Sequence, residues 1–281
     1  MTVTAALMLA VYAIVNGNQE GWTSARTLGE LAGAVAVLAL FLAIESRVSD
    51  PLMPLGLFRS RNLAFANVVG VLWAAAMFAW FFMSALYLQL VLGYTPLKVG
   101  LAFLPANLIM GGLSIGVSAR LVMRFGIRRP LATGLLLAAA GLALLARAPV
   151  DGRYVVDVLP SMVLLGIGAG TAFNPVLLAA MSDVKPHQSG LASGVVNTAF
   201  MMGGALGLAV LASLASSRSD SLRASGHDAL VALNGGYHAA LAVGAVFAAV
   251  AAVIGGTLLR TSVSAPQQAA GEQQQESPVA V

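Results

Sequence analysis

The feature that most limits what this chain can fold into is a set of six windows that carry no formal charge. Asp, Glu, Lys and Arg are all missing from Asn62 to Leu97, Val99 to Ala119, Pro130 to Ala146, Val158 to Ser182, Pro186 to Ser217 and Ala229 to Leu259. Crossing a hydrocarbon layer of about 30 Å takes about 20 mostly apolar helical residues, and each window holds one such helix. Hydrophobic residues make up 59% of the 281 residues and charged residues 9%, against roughly 25% charge in soluble domains. So few charges cannot cover a water-exposed surface. The expected fold is an all-α polytopic membrane protein, since a helix satisfies its own backbone groups in lipid.

Eight spans are expected, near residues 2–16, 28–46, 63–90, 97–121, 129–147, 157–181, 190–215 and 237–259. The first is short and starts at Met1, which suggests a chain cut from something longer. Residues 1–46 then form two linker helices, 47–62 a cytoplasmic linker with Pro51 and Pro54, and 63–260 a six-helix bundle. Beyond Arg260 the run "TSVSAPQQAAGEQQQESPVAV" has no apolar period, so 261–281 reads as a disordered tail. Cysteine is absent, which removes disulfides and thiolate chemistry, and the three histidines stand in separate loop-like stretches. No metal, cofactor or catalytic residue is expected, because the spans offer no nucleophile with a facing base.

The basic residues sit in short loops, so the net charge of +4 points to a lipid bilayer and not to nucleic acid. Numbered alternately, the connections place Arg47, Arg59, Arg61, Arg120, Arg124, Arg128, Arg129, Lys185 and Arg260 on one side, and Arg26, Lys98, Arg147, Arg153, Arg218 and Arg223 on the other. The two richest connections, 47–61 and 120–129, fall together, and positive loops stay inside. The expected orientation is therefore multi-pass in the cell membrane with the tail cytoplasmic. Within "SARLVMRFGIRRPL", Gly126 permits a tight reversal, and Pro130 suits the first turn of the next helix.

Arg124-Phe125-Gly126 followed by Arg128-Arg129-Pro130, after a helix ending "ARLVM", resembles the cytoplasmic loop signature of the major facilitator superfamily, in its second and weaker copy. Met123 stands where that signature has an Asp, and Ala119 where it has its first Gly. "LYLQLVLGYTPLKVGLAFLP" and "GIGAGTAFNPVLLAAMSDVKPHQSGLASGVVNTAFMMGGALGLAV" are similar to two hairpins in the carboxyl half of the fourteen-span drug:proton antiporter family. The resemblance covers nearly the whole chain but only the second half of a typical member. It implies that residues 63–260 are a carboxyl-terminal transporter bundle and that 2–16 and 28–46 are the extra pair between halves.

In that architecture a central cavity forms between two halves near the midplane. The spans 63–90, 97–121, 157–181 and 190–215 would face it, presenting Tyr87, Gln89, Asn107, Met110, Phe173, Asn174, Asn197, Phe200, Met201 and Met202. Aromatic faces and thioethers would hold an apolar or cationic compound, and amides would orient it; ordinary helix packing is the alternative for the same residues. Pro105 and Pro175 lie inside their spans, as hinges for alternating access or as static kinks. Arg124, Gly126, Arg128 and Arg129 would form a loop latch toward Asp183, or serve topology alone. Glycine pairs four apart occur at 112/116, 166/170, 190/194 and 203/207.

The expected function is secondary active transport, with protons driving efflux of small hydrophobic or cationic compounds. None of the 11 acidic residues lies between residues 63 and 150, so proton coupling calls for a partner, either an amino-terminal six-helix half or a second copy. The alternative is a truncated, non-transporting remnant or an accessory membrane subunit. Orientation is open to a direct check in this cysteine-free chain. Met123→Cys should react with a membrane-impermeant maleimide in inverted vesicles and not in intact cells; the opposite pattern would reverse the topology.

Overall fold

A computed structural model of the chain describes residues 2–21, 24–48, 61–182, 184 and 188–259. Nine α-helices appear among them: α1 (Thr2–Glu20), α2 (Ala25–Glu45), α3 (Arg61–Leu86), α4 (Pro96–Gly112), α5 (Ser118–Phe125), α6 (Arg128–Leu145), α7 (Leu159–Met181), α8 (Ser189–Ala224) and α9 (Ala229–Thr257). Single π-helical turns extend α3 through Tyr87–Val91, join α4 to α5 through Leu113–Val117, and lead into α7 through Tyr154–Val158. With these turns included, seven rods are long and apolar enough to cross a membrane, and a shorter apolar stretch, Thr4–Gly17, precedes them. The chain is an all-α polytopic membrane protein.

Rod boundaries follow local chemistry. Ser24 caps α2, Thr95 caps α4 and Asp228 caps α9, each side-chain oxygen accepting from a backbone N–H of the first turn. Such caps satisfy donors that a helix start leaves orphaned. Gly126 ends α5 at φ 75°, and its N–H closes the last turn on the Val122 carbonyl. Gly226, at φ 84°, makes the reversal between α8 and α9. Both conformations lie where a β-carbon would clash. α8 continues through Arg218 and Arg223 for 36 residues, about 54 Å at 1.5 Å per residue, well past the expected end near 215. α9 likewise starts earlier than expected, because Asp228 nucleates it.

α3 and α7 are the central rods, with 56% and 61% of their apolar windows buried, against 22% each for the α4–α5 rod and α8 and 11% for α2. Trp73, Trp80, Met83, Leu135 and Leu165 are among the largest fully buried side chains. Lipid tails are as apolar as the helix surfaces, so close packing has to hold the rods together. Glycines provide it. A β-carbon placed at Gly207 would collide with Ala75, and one at Gly203 would lie 2.8 Å from the Cα of Val71. At Gly166 and Gly170 it would lie 2.6 and 2.8 Å from the carbonyl oxygens of Ala106 and Met110. Gly134 and Gly168 face each other between α6 and α7 in the same way.

Polar ties close one end of the bundle. Tyr87 donates its hydroxyl to the Pro149 carbonyl at 2.7 Å, and Asn234 donates its amide to the Ala148 carbonyl at 2.9 Å. His238 Nε2 lies 2.8 Å from that same Ala148 oxygen, which requires the Nε2-protonated form. Tyr154 donates to the Ala102 carbonyl at 2.7 Å and so fastens the start of α7 to α4. At the opposite end, Asn62 donates to Ser182 Oγ at 3.1 Å.

The glycine contacts yield a paired expectation. Gly207→Val should destabilise the purified chain by about 1–3 kcal/mol, the usual cost of overpacking. Gly190→Val should leave stability unchanged, because nothing lies within 4 Å of its added β-carbon. Thermal unfolding in detergent micelles measures both, and equal shifts would contradict the packing scheme.

Candidate substrate cavity

Three phenylalanines on three rods form one wall. The rings of Phe173 (α7) and Phe200 (α8) meet edge to face at 6.0 Å, and those of Phe200 and Phe78 (α3) at 6.3 Å. Such pairs contribute about 0.5–1.5 kcal/mol beyond area burial. The wall forms because Gly204 has no side chain: a β-carbon there would lie 2.8 Å from the Phe78 ring.

Two recesses open beside this wall. A cleft of about 240 Å³ between α3, α7 and α8 is lined by Trp73, Phe173, Val176, Leu177, Ser193, Val196, Asn197, Phe200 and Met201. A second, of about 510 Å³, is lined by Met77, Met110, Gly111, Ser114, Ile115, Ala169, Phe173 and Asn174. Phe173 borders both. Of the candidates read from the sequence, the structure thus brings together Met110, Phe173, Asn174, Asn197, Phe200 and Met201. Met202 lies instead in an apolar groove between α1 and α8, with Tyr12 and Leu206.

The remaining candidates lie elsewhere. Tyr87 is buried in the polar clamp on Pro149. Gln89 is exposed in the π-turn after α3, and Asn107 is exposed on α4. Asn174 is a brace as well as a lining residue: its amide donates to the Ser114 carbonyl at 2.7 Å, inside the π-turn of the α4–α5 rod. Ser114 Oγ in turn reaches the Gly170 carbonyl at 3.4 Å. Pro105 and Pro175 both lie within uninterrupted helix. In the α4–α5 rod the departure from α geometry falls at Leu113–Val117, beyond Pro105.

Sequence reasoning missed Trp73, Met77 and Phe78 on α3, and Ser114 and Ser193. A signal was present in "WAAAM", where Trp73 and Met77 stand four apart among alanines and so share a helix face.

In the arginine loop, Arg124 and Arg129 are exposed and Arg128 is half-buried. The Arg124 guanidinium lies 5.3 Å from the centre of the Phe125 ring. Arg128 Nε is buried without a hydrogen-bond partner among the described residues. Asp183, the acid expected opposite this loop, lies outside the described residues, as do the tail 261–281 and most of the 47–62 linker. An ion pair joins Arg26 to Glu30 at 3.2 Å in α2, and Arg26 also reaches the Tyr12 hydroxyl at 3.4 Å. No group of three or more His, Cys, Asp or Glu residues that could hold a metal occurs among the described residues.

The family model of the Major Facilitator Superfamily matches residues 1–208. The chain is 37% identical over 210 residues to puromycin resistance protein pur8 of Streptomyces alboniger, covering 73% of this chain and 41% of that protein. It is 36% identical over 215 residues to the tetracenomycin C resistance and export protein of Streptomyces glaucescens, covering 76% of this chain and 39% of that protein. With multidrug resistance protein Stp of Mycobacterium tuberculosis the identity is 35% over 206 residues, 73% and 37% of the two chains. The match therefore spans well under half the length of these relatives. With a lipid-soluble helical bundle, a basic reversal between rods and a match over most of its length, this chain belongs to the Major Facilitator Superfamily.

Proposed function

We propose that the chain is the carboxyl-terminal portion of a secondary transporter that exports small hydrophobic or cationic compounds in exchange for protons. α1 and α2 are its linker pair, and the remaining rods are its six-helix bundle. It sits in the cell membrane with the arginine loop and carboxyl terminus cytoplasmic. The observation that carries this reading is the Phe78–Phe200–Phe173 wall, flanked by thioethers and amides on a side of the bundle where Phe173, Asn197 and Met201 are exposed. Soft aromatic surfaces of this kind bind varied apolar ligands. Relatives named for puromycin resistance, multidrug resistance, and tetracenomycin C resistance and export favour export over uptake.

Transport by rocking needs a second bundle against this side. The glycine pairs divide accordingly. Pairs 166/170 and 203/207 are filled by neighbouring rods, whereas around 112/116 and 190/194 no atom of the described residues lies within 4 Å of an added β-carbon. Bare glycines on α4 and α8 admit another helix backbone at close range. An amino-terminal six-helix half, on the same or another polypeptide, fits that place, and a second copy would use the same contacts. The proton-carrying acid belongs to that partner, since α3, α4, α5 and α6 contain no Asp or Glu. Arg128, whose Nε has no hydrogen-bond partner among the described residues, is the latch residue toward the loop that carries Asp183.

In cells exporting a fluorescent aromatic dye through this chain assembled with an amino-terminal half, a protonophore should abolish export. Phe173→Ala and Phe200→Ala should each lower the initial rate about fivefold or more, as the loss of a buried aromatic contact implies. Export that survives the protonophore, or that neither substitution slows, would rule the mechanism out.

A further inference from the structure

The cleft between α3, α7 and α8 contains three hydrogen-bonding side chains that the bundle itself does not use. Trp73 is 1% exposed, forms part of the cleft wall, and has a buried indole N–H with no acceptor among the described residues. Ser193 and Asn197 stand four apart on α8, line the same cleft, and make no hydrogen bond to any described residue. The rest of the lining is aliphatic, aromatic or thioether, and among the described residues no ionisable side chain borders it.

These facts constrain the ligand. A buried indole N–H in apolar surroundings is left unsatisfied until something supplies an acceptor, and the resulting gain favours acceptor-bearing molecules over matched hydrocarbons. An organic cation entering the cleft would lose its hydration with no carboxylate among the described lining residues to replace it. The faces of Phe173 and Phe200 return only part of that loss, because cation–π attraction is weaker than the desolvation it must offset. A neutral ring gains the same aromatic contacts without that penalty.

The geometry points to a recognition site for uncharged aromatic compounds that carry a carbonyl or similar hydrogen-bond acceptor. The Trp73 N–H donates to the acceptor oxygen, Phe173 and Phe200 hold the ring, and Asn197 and Ser193 take a second polar group. The physiological use of this site rests on the transporter reading above; its chemistry narrows that reading, because in this bundle the ligand is selected by its hydrogen-bond acceptor and not by its charge. Any reading of positive charge falls to acids of the partner bundle.

The test uses the full chain in nanodiscs, with quenching of tryptophan emission referenced to empty nanodiscs. The probes are 2-acetylnaphthalene, 2-ethylnaphthalene and a naphthyl trimethylammonium. The ketone should bind about tenfold more tightly than the hydrocarbon, the range expected for one satisfied buried donor, and the cation no more tightly than the hydrocarbon. Trp73→Phe keeps a ring and removes the donor, so ketone binding, read by competition with a fluorescent naphthyl probe, should fall to the hydrocarbon level while hydrocarbon binding is retained. Asn197→Ala, at an exposed position, should weaken the ketone severalfold without altering the melting profile. Equal binding of ketone and hydrocarbon, tightest binding of the cation, or a ketone preference that survives in both variants would overturn the inference and leave the export assay to judge the transporter reading. Failure of the wild-type chain to bind any probe saturably would overturn the inference and also remove this cleft from the proposed transport route.

Discussion

Close contact between glycine-bearing helix faces is the interaction on which this bundle depends. In lipid an apolar helix gains little by leaving hydrocarbon for protein, so burial alone cannot choose neighbours. Contact distance can. Gly203 and Gly207 bring α8 onto Val71 and Ala75 of α3, while Gly166 and Gly170 bring α7 onto the backbone of α4. The candidate site follows from the same contacts. Gly204 admits the Phe78 ring against α8, and that ring meets Phe200, which in turn meets Phe173. The aromatic wall is therefore a direct product of the glycine packing.

The two ends of the bundle are built differently. One is fastened by Tyr87, Asn234 and His238, which converge on the adjacent carbonyls of Ala148 and Pro149. These hydrogen bonds tie α3 and α9 to the connection between α6 and α7. The other end carries the reversal at Gly126 and the basic side chains around it, with Arg128 holding a buried Nε that has no acceptor among the described residues.

Much of the architecture was legible in the sequence, because the membrane imposes a length and a charge rule that survive without a structure. Charge-free windows located the rods, and Gly126 marked a reversal that does adopt a left-handed conformation. Phe173, Asn197, Phe200 and Met201 could be singled out as large or polar groups in otherwise small-residue spans, and they share one cleft. Facing was much harder to read. The spans are apolar on all sides, so helical periodicity cannot distinguish a cavity face from a lipid face. Periodicity thus could not separate Asn107, exposed on α4, or Tyr87, bound to Pro149, from the residues that line the cleft. The π-turn at Leu113–Val117 had no sequence signature at all, although it supplies the carbonyl that Asn174 grips.

The central claim is that the aromatic side of the bundle borders water and ligand instead of lipid. Labelling of single cysteines in the assembled transporter tests it most directly, since the chain has no cysteine of its own. Asn197→Cys in the cleft should react with a water-soluble maleimide and be protected by an aromatic substrate, whereas Val35→Cys on the outward face of α2, 67% exposed, should stay inert. A cysteine at 197 as unreactive as the one at 35 would place the Phe173–Phe200 wall in hydrocarbon and contradict the account.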